Sequence, residues 1–428
     1  MRTPQATSAN ATNRRNVVAV SHVLIVGASL AGLRAAETLR NDGFDGTITA
    51  IGNENRGLYD RPPLSKKFLA GEWDADRIAL RKKEEITALN VDWRFGTTAI
   101  ALDTANRNVT TTAGSFSYDA CILATGGTVR RLPNQPAHTG IHTLRTIDDS
   151  EALRDDFATG KKLVVIGAGF IGLEAAATAR ARGCHVTVLE GLTAPLIRGL
   201  GEAMGRTVAR VHHDNGVIIR CNVRVEEILG GPHVTGVRIT NEHNTSEVVE
   251  ADIVLVGIGV APATDWVADS GLTINDGIVC DQHLRCAPNV FAAGDVARWP
   301  NALFSDIEPT MRVEHWTTAA EQGTHAAANA IALLNNQPLT PYAAVPFFWS
   351  DQFSSRIQFL GRGTSTTDVR IVAGNPDDGK FAAAYFANDR LTAVLGVSMP
   401  KAVMPARKLL QGHTSRAQAL AHFAETNP

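Results

Sequence analysis

A strand, a glycine-rich turn and the start of a helix occur twice in this 428-residue chain, and this duplication restricts the fold more than any other feature. The first copy reads VLIVGASLAGLRAAETLR from Val23 to Arg40, and the second reads KLVVIGAGFIGLEAAATAR from Lys162 to Arg180. Gly167 follows Gly27 by 140 positions, which is the length of a domain and not the period of a solenoid repeat. The duplication predicts two Rossmann-like α/β domains, each with its own dinucleotide.

The glycines of both turns stand where a dinucleotide-binding βαβ unit needs them. The first glycine makes the tight turn, the second lets the backbone approach the pyrophosphate, and the third packs the helix against the strand. The second copy fills all three places, with Gly167, Gly169 and Gly172. The first copy has Gly27 and Gly32, with Ser29 at the point of closest approach. A serine is small enough to fit there, and its hydroxyl can donate to a phosphate oxygen.

An acidic residue follows each copy at the spacing that suits the ribose hydroxyls of a dinucleotide. Glu54 lies 22 residues after Gly32, and Glu190 lies 18 residues after Gly172. Two dinucleotides in one chain usually mean a nicotinamide hydride donor and a flavin acceptor. The glycines alone do not decide which copy binds which dinucleotide.

Two further segments offer charged groups to a bound cofactor. The segment Gly57 to Gly71 holds a rigid Pro-Pro pair flanked by Arg61 and Lys66, which place positive charge beside the site. The segment Phe291 to Ala297 contains a β-run that ends in Gly294 and Asp295. The carboxylate of Asp295 suits a polyol hydroxyl.

Composition excludes several other classes of function. The formal net charge is only −2, so no overall field attracts nucleic acid or an acidic membrane surface. The five cysteines include no CxxC pair, and we expect reduced thiols, no metal site and a cytoplasmic protein. The longest apolar runs, around Val164 and Ile253, are interrupted by glycines and charges, which predicts that no segment spans a membrane.

The pattern along the chain predicts three domains and a tail. We expect a disordered tail at residues 1–21, a flavin-binding domain from residues 22–136 and 263–340, and a nicotinamide-binding domain at residues 137–262. After Pro341 the pattern changes to short strands with Asn and Asp turns, followed by a helix from Lys401 onward. This predicts a separate C-terminal α+β interface domain at residues 341–428.

Eight motifs in this order resemble one family closely: GxSxAG, YDRPPLSK, LATGG, GAGFIGLE, VGIGVAP, FAAGDVAR, RVEHW and FFWSDQ. The chain resembles the FAD-dependent NADH:ferredoxin reductases of bacterial oxygenase systems, within the glutathione-reductase-like superfamily, from Val23 to about Leu410. The stretch DIEPTM, from Asp306 to Met311, has no counterpart in that pattern.

The resemblance assigns the first copy to FAD and the second to NADH. It implies FAD contacts at Gly27, Ser29, Gly32, Glu54, Arg61, Lys66, Thr125, Gly126, Arg131, Asp295 and Trp316. It implies NADH contacts at Gly167, Gly169, Gly172 and Glu190. Because no Arg is among the residues that directly follow Glu190, we expect NADH to be preferred over NADPH.

The resemblance also implies the route of the electrons. Lys66 and Glu174 are expected to form the catalytic ion pair beside flavin N5. Disulfide reductases of this superfamily carry a redox cysteine pair after the first βαβ unit, but no cysteine precedes Ala120 here, so flavin is the only redox centre expected. Electrons then leave for a two-iron ferredoxin through a face that includes Arg312 and Trp349. Arg312 is expected to belong to a local basic patch, and Phe347 and Trp349 to form an aromatic pair over the flavin edge. Phe347 stands where a member of the family has tryptophan.

Other readings of the same sequence give different partners. A rubredoxin could replace the ferredoxin as acceptor. A redox-responsive NADH-binding protein resembling apoptosis-inducing factor is the main alternative, although the near-neutral charge disfavours its nucleic-acid role. A nitrite-reducing system is disfavoured because no cluster-binding domain follows. Relatives of this kind are often monomers or weak dimers, and we expect the same of this chain.

Overall fold

Three large β-sheets organise the chain in a computed structural model, which describes residues 21–364 and 367–426. The tail predicted at residues 1–21 lies outside these residues, apart from Ser21. The α/β fold class predicted from the duplication is confirmed. None of the described helices is both long and apolar enough to span a membrane.

The first sheet has six strands, and every neighbouring pair is parallel except at one edge. Its spatial order is Arg285–Ala287, Val290–Ala292, Ala120–Leu123, His22–Val26, Thr47–Ile51 and Asp92–Arg94. The strand before the first glycine turn is therefore central, and its carboxyl end opens towards a ligand, as in other doubly wound sheets.

The second sheet has five strands and is wholly parallel. Its order is Ile218–Arg220, His185–Leu189, Lys162–Ile166, Ile253–Val256 and Ile141–His142. The strand before the second glycine turn is again central. An antiparallel sheet of three strands belongs to the same segment, with strands Arg224–Gly230, Val234–Thr240 and Ser246–Glu250.

The two glycine-turn helices span Leu30–Asn41 and Phe170–Ala181. Ser29 and Gly169 take the N-cap positions, so the residues before the third glycine already belong to the first helical turn. The other helices of these two units are Lys83–Ala88, Ile147–Asp156, Ile197–Leu200, Glu202–Asp214 and Trp316–Leu334.

The C-terminal sheet is antiparallel and packs between the two units. Its order is Phe347–Gln352, Ser355–Gly361, Arg390–Val397, Lys380–Ala387 and Asp368–Asn375. Leu360 belongs to the core of the first sheet, whereas its neighbour Phe359 belongs to the core of the second. Because successive side chains point to opposite faces, each face of this sheet covers one unit.

The single helix predicted from Lys401 onward is wrong. Three short helices occur instead, because Pro405 and the turn at Gly412 and His413 interrupt the chain, the last with φ 50°. They span Pro400–Val403, Ala406–Gln411 and Arg416–Thr426.

Small sheets and turns complete the described structure. The short strands are Ala99–Asp103, Asn108–Thr111, Gly114–Ser117, Gly127–Val129, Val260–Pro262, Ile278–Val279, Ala297–Trp299 and Met311–Arg312. Short 3-10 helices are Pro62–Ser65, Asp265–Val267, Gly294–Val296 and Pro376–Asp378. The exact domain boundaries given above remain a prediction.

Candidate active site

One large cavity lies at the carboxyl ends of the two parallel sheets. Its volume is about 1410 Å³, and both glycine turns line it together with Phe348 and Trp349 of the C-terminal sheet. Every predicted site residue lines this cavity except Gly32. The fold therefore brings the two duplicated turns to a single space.

Backbone geometry explains why glycine is needed in both turns. Gly27 has φ 125°, and a Cβ atom there would lie 2.1 Å from the Ala124 carbonyl oxygen. Gly167 has φ 103° and faces the same obstacle at Gly257, at 2.4 Å. At Gly32 the helix packs closely against the turn, because an added Cβ atom would lie 2.0 Å from the Gly27 carbonyl oxygen. Gly32 therefore has a packing role and does not line the cavity.

The acid of the first unit is held by two neighbouring side chains. Arg61 donates to Glu54 Oε1 at 2.6 Å, and the Tyr59 hydroxyl donates to Oε2. Arg61 also donates to the Arg145 carbonyl oxygen at 2.6 Å. Glu54 is therefore fixed and neutralised, while each carboxylate oxygen keeps a lone pair for a ribose hydroxyl. Sequence analysis missed Tyr59, although the YDRPPLSK motif contains it.

The acid of the second unit is held by backbone groups only. Glu190 accepts from the Ala168 amide at 2.8 Å and from the Leu192 amide at 2.9 Å. Within the described part of the chain, it forms no ion pair. Its carboxylate therefore lines the cavity without a direct ion-pair partner, and Arg198 and Arg224 line the same cavity.

A second carboxylate of the first unit pairs with a residue that sequence analysis missed. Asp295 accepts from Arg145 at 3.0 Å, and Arg145 comes from a segment 150 residues earlier. The other predicted residues of this unit lie nearby. Thr125 donates to the Ala263 carbonyl oxygen at 3.1 Å, and the next residue, Gly126, has φ 68°. Arg131 is exposed at the rim of the cavity. The predicted polyol acid is thus held in place by a half-buried cation.

The predicted ion pair between Lys66 and Glu174 is present. The Lys66 Nζ atom lies 2.7 Å from Glu174 Oε2, and the side chains are 17% and 5% exposed. Lys66 comes just after the Pro62–Ser65 turn of the first unit, and Glu174 lies on the helix Phe170–Ala181 of the second. Two hydroxyls also donate hydrogen bonds to the Glu174 carboxylate. Ser65 Oγ donates to Oε2 at 2.5 Å, and Ser350 Oγ donates to Oε1 at 2.5 Å.

Aromatic side chains form the wall beside this pair. Trp316 donates to Asp60 at 2.7 Å, and its ring lies 6.1 Å from that of Trp349. Phe347 stacks on Trp349 with a centroid distance of 6.2 Å, so the predicted aromatic pair is formed. The Nδ1 atom of His315 is enclosed without a hydrogen-bond partner, and burial and the charge of Arg362 lower the pKa of His315 to about 3. His315 therefore stays neutral at physiological pH.

Arg312, predicted to lie on the face that binds the electron acceptor, is largely buried and paired with acids. Its side chain is only 10% exposed and forms ion pairs with Asp276 at 3.1 Å and Glu314 at 2.7 Å. It also donates to the Asp295 carbonyl oxygen at 3.1 Å. Both acids lie on nearby loops, so the guanidinium is neutralised inside the structure and does not present a free charge to a partner.

The cysteines lie away from this chemistry. Cys121, Cys184 and Cys280 are buried, and none of the five lines the cavity. Burial raises the pKa of the Cys121 thiol well above its ordinary value. No group of three or more His, Cys, Asp or Glu among residues 21–364 and 367–426 is placed to hold a metal ion.

The residues present fit two dinucleotides. Neither glycine-turn helix has a side-chain cap at its N-terminus, so the first amides of both helices are available to phosphate groups. The Ser29 hydroxyl makes no bond to its own helix, and a Cβ atom at Gly169 would have no neighbour within 4 Å. Both positions of closest approach therefore leave room for a pyrophosphate.

Two protein families match the chain and together cover most of it. The pyridine nucleotide-disulphide oxidoreductase family matches residues 21–323, and a family described as reductase C-terminal matches residues 347–425. The chain belongs to the pyridine nucleotide-disulphide oxidoreductase family. Membership in this group of flavoproteins means that it uses FAD and NAD(P)H.

Individual relatives place this family member among the reductases of oxygenase systems, as the motifs predicted. Rhodocoxin reductase of Rhodococcus erythropolis is 37% identical over 392 residues, which are 91% of this chain and 89% of the relative. Putidaredoxin reductase CamA of Pseudomonas putida is 33% identical over 388 residues, 89% of each chain. The solved covalent complex of putidaredoxin reductase with putidaredoxin matches with a TM-score of 0.86 at 30% identity, covering 95% of this chain and 98% of the other.

Proposed function

We propose that this protein is a flavoprotein reductase that passes electrons from NADH through FAD to a small two-iron ferredoxin, which feeds a monooxygenase or dioxygenase. The observation that carries the proposal is the buried pair of Lys66 and Glu174, contributed by the two dinucleotide units and facing the cavity that both glycine turns line. The relatives support the partner, because several are named as ferredoxin reductase components of dioxygenase systems.

The residues of this chain bind and orient the reactants. Bound FAD supplies hydride acceptance from NADH and electron release in single steps. The helix starts at Ser29 and Gly169 bind the phosphates, and Glu54 and Glu190 hold the riboses. Lys66 places a positive charge at the meeting point, where it stabilises negative charge that develops during reduction, and Glu174 fixes its position. The balanced reaction converts NADH and two oxidised ferredoxins into NAD⁺, one proton and two reduced ferredoxins.

Coenzyme choice follows from the charge at Glu190. A 2′-phosphate placed there would meet a carboxylate that no described cation neutralises, whereas a 2′-hydroxyl would donate to it. We expect kcat/KM to favour NADH over NADPH by about tenfold or more, which corresponds to about 1.4 kcal/mol. Equal efficiency with both coenzymes would contradict this assignment.

The exit for electrons is proposed at Trp349, which lines the cavity and stacks on Phe347. With Arg312 neutralised inside the structure, we assign partner binding at this edge to the aromatic pair. A monomer or weak dimer without nucleic-acid or membrane partners, in the cytoplasm, remains our prediction.

Reduction of cytochrome c by the FAD-loaded protein with NADH, with and without a two-iron ferredoxin, tests this function. We expect rapid NADH-dependent reduction only when ferredoxin is present, and nearly constant ferricyanide reduction in both cases. If a rubredoxin supported reduction as efficiently as the ferredoxin, we would assign rubredoxin as the electron acceptor. If NADH reduces the flavin but no iron-sulfur acceptor increases turnover, the reading as a redox-responsive NADH-binding protein would be favoured instead.

A further inference from the structure

A continuous chain of buried polar side chains leads away from Glu174. Ser350 donates to Glu174 at 2.5 Å, Gln352 Nε2 donates to Ser350 Oγ at 3.1 Å, and Gln352 Oε1 lies 2.8 Å from His212 Nε2. Ser350, Gln352 and His212 are all 0% exposed. The reaction described above uses none of these three residues.

The direction of every hydrogen bond in this chain is fixed by the carboxylate. An ionised Glu174 can only accept, so the Ser350 hydroxyl donates to it and its oxygen accepts from the Gln352 amide. The Gln352 carbonyl oxygen then accepts from His212 Nε2–H. All three donors therefore point towards Glu174, and bonds aligned in this way strengthen one another in a buried environment.

The far end of the chain is neutral. Burial lowers the pKa of His212, while its bond to Gln352 opposes this, and His213 on the same helix also lowers the pKa. His212 Nδ1 is buried and has no hydrogen-bond partner among the described residues, which agrees with a neutral ring that carries its proton on Nε2. His212 thus supplies a donor without supplying a charge.

These hydrogen bonds connect three secondary-structure elements, two helices and one strand. Glu174 and His212 lie on two helices of the second unit, Phe170–Ala181 and Glu202–Asp214, and both face the C-terminal strand Phe347–Gln352. Ser350 and Gln352 alternate with Asp351, which points to the other face of the strand and pairs with Arg356 at 3.4 Å.

The charged groups near Glu174 come from the first unit. Lys66 pairs with it directly, and Asp60 lies close to Lys66. Burial raises the pKa of Asp60, and the bond from Trp316 and the charge of Lys66 oppose that rise. The C-terminal strand contributes only neutral groups to this pair, namely Ser350 and, behind it, Gln352.

We propose that Ser350, Gln352 and His212 are positioning residues, which hold the carboxylate of Glu174 aimed at Lys66. This inference rests on the proposed function, since it assigns Glu174 and Lys66 to the reduction of flavin by NADH. Each residue acts through the next, so removing a donor weakens the site more when the donor is closer to Glu174.

Anaerobic single-turnover reduction by NADH, measured across about pH 5 to 9, tests the proposal. We expect Ser350→Ala to slow flavin reduction about tenfold near neutral pH, with an unchanged Kd for NADH. Gln352→Leu should have a smaller effect, and His212→Phe an effect of about two- to threefold.

The flavin midpoint potential provides a readout that does not depend on turnover. It should rise most in Ser350→Ala and less in Gln352→Leu and His212→Phe, because a displaced carboxylate leaves the charge of Lys66 less compensated. Ser350→Thr keeps a hydroxyl and should restore the wild-type potential. His213→Asn, at the exposed neighbour of His212, and Asp351→Asn, on the opposite face of the strand, are matched controls that should leave it unchanged.

Each outcome decides between the alternatives. Wild-type rates and a wild-type midpoint potential in Ser350→Ala would overturn the proposal. An effect confined to Ser350→Ala, with Gln352→Leu and His212→Phe unchanged, would overturn the chain beyond Ser350. If Ser350→Ala does not retain flavin, the other two variants carry the test. A wild-type protein that NADH fails to reduce would instead refute the proposed function.

Discussion

The two glycine-turn units share a local sequence pattern, but the starts of their helices differ in solvent exposure. Ala31 of the first helix is 6% exposed, whereas Ile171, which stands at the equivalent place 140 positions later, is 46% exposed. The first helix packs under the helix Trp316–Leu334, where a Cβ atom at Gly323 would lie 2.2 Å from the Ala31 carbonyl oxygen. The second helix start has no such cover.

The acids of the two units differ in the same way. Glu54 is neutralised by Arg61 and bonded by Tyr59, whereas Glu190 is held by two backbone amides alone. We therefore expect the ligand of the first unit to stay bound and the ligand of the second unit to exchange, because the surroundings of the two turns differ.

The largest effect is expected at the first turn itself. Gly27→Ala should lower the free energy of unfolding by about 3 kcal/mol and release FAD, because the added Cβ would meet the Ala124 carbonyl oxygen at 2.1 Å. Gly43→Ala is the control for backbone strain alone, with φ 83° and open space, and should cost about 1 kcal/mol. Gly169→Ala, with φ −78°, should leave stability unchanged and raise the KM for NADH. Urea unfolding and flavin content measure these differences, and equal losses at Gly27 and Gly43 would contradict the role of the close contact.

Removal of the cation beside the first acid should have the next largest effect. Arg61→Met leaves the carboxylate of Glu54 without its ion pair, which should weaken FAD binding by about 2 kcal/mol, or about thirtyfold in Kd. The control is Arg56→Met, because Arg56 pairs with Asp148 at a largely exposed site and should leave the Kd unchanged. Titration of the apoprotein with FAD, followed by flavin fluorescence, measures both constants. Unchanged FAD affinity in Arg61→Met would mean that the ion pair of Glu54 does not contribute to FAD binding.

Substitution of the second acid should affect coenzyme choice without affecting the flavin. We expect Glu190→Gln to reduce the preference for NADH over NADPH by about tenfold, because the unneutralised negative charge is removed. Glu54→Gln should change FAD retention and leave the NADH to NADPH ratio of kcat/KM as it is. If both variants altered the coenzyme ratio, the division of roles between the two units would be incorrect.

The smallest effect concerns how the first unit attaches to the C-terminal sheet. Asp306 pairs with Arg390 at 2.6 Å, and this bond lowers the pKa of Asp306 to about 2, with burial opposing. A carboxyl with a depressed pKa stabilises the folded state fully above its unfolded pKa of about 3.9 and loses that contribution as the pH falls through about 2. Because Asp306 is 41% exposed, solvent screening reduces the contribution to about 1 kcal/mol.

Urea unfolding of Asp306→Asn at several pH values measures this contribution. The variant should be less stable than wild type by a constant amount above about pH 5, and the gap should narrow as the pH falls towards 2. Asp377→Asn is the control at the contact of the C-terminal sheet with the second unit, since Asp377 pairs with Arg210 at a side-chain exposure of 77% and should not change stability. A gap that grows on acidification would have the wrong sign for an ionised Asp306.

Local patterns in the sequence were sufficient to predict both strand–turn–helix units, and the motifs that contain Lys66 and Glu174 predicted their pairing. The sequence could not show which residues complete the site from a distance. Ser350 is separated from Glu174 by 176 positions, and no periodicity connects the two. Arg312 is neutralised by Asp276, 36 positions earlier, so its burial depends on a loop arrangement that composition does not encode.

The origin of the groups around Glu174 has a consequence for protein engineering. Its hydrogen bonds come from Ser65 in the first unit and from Ser350 in the C-terminal sheet, so no segment of the chain carries the complete arrangement. A chimera that takes residues 347–425 from another reductase must also bring a hydroxyl to position 350. Recombination libraries made to change the choice of electron acceptor will therefore lose turnover at some junctions even when the grafted surface binds its new acceptor correctly.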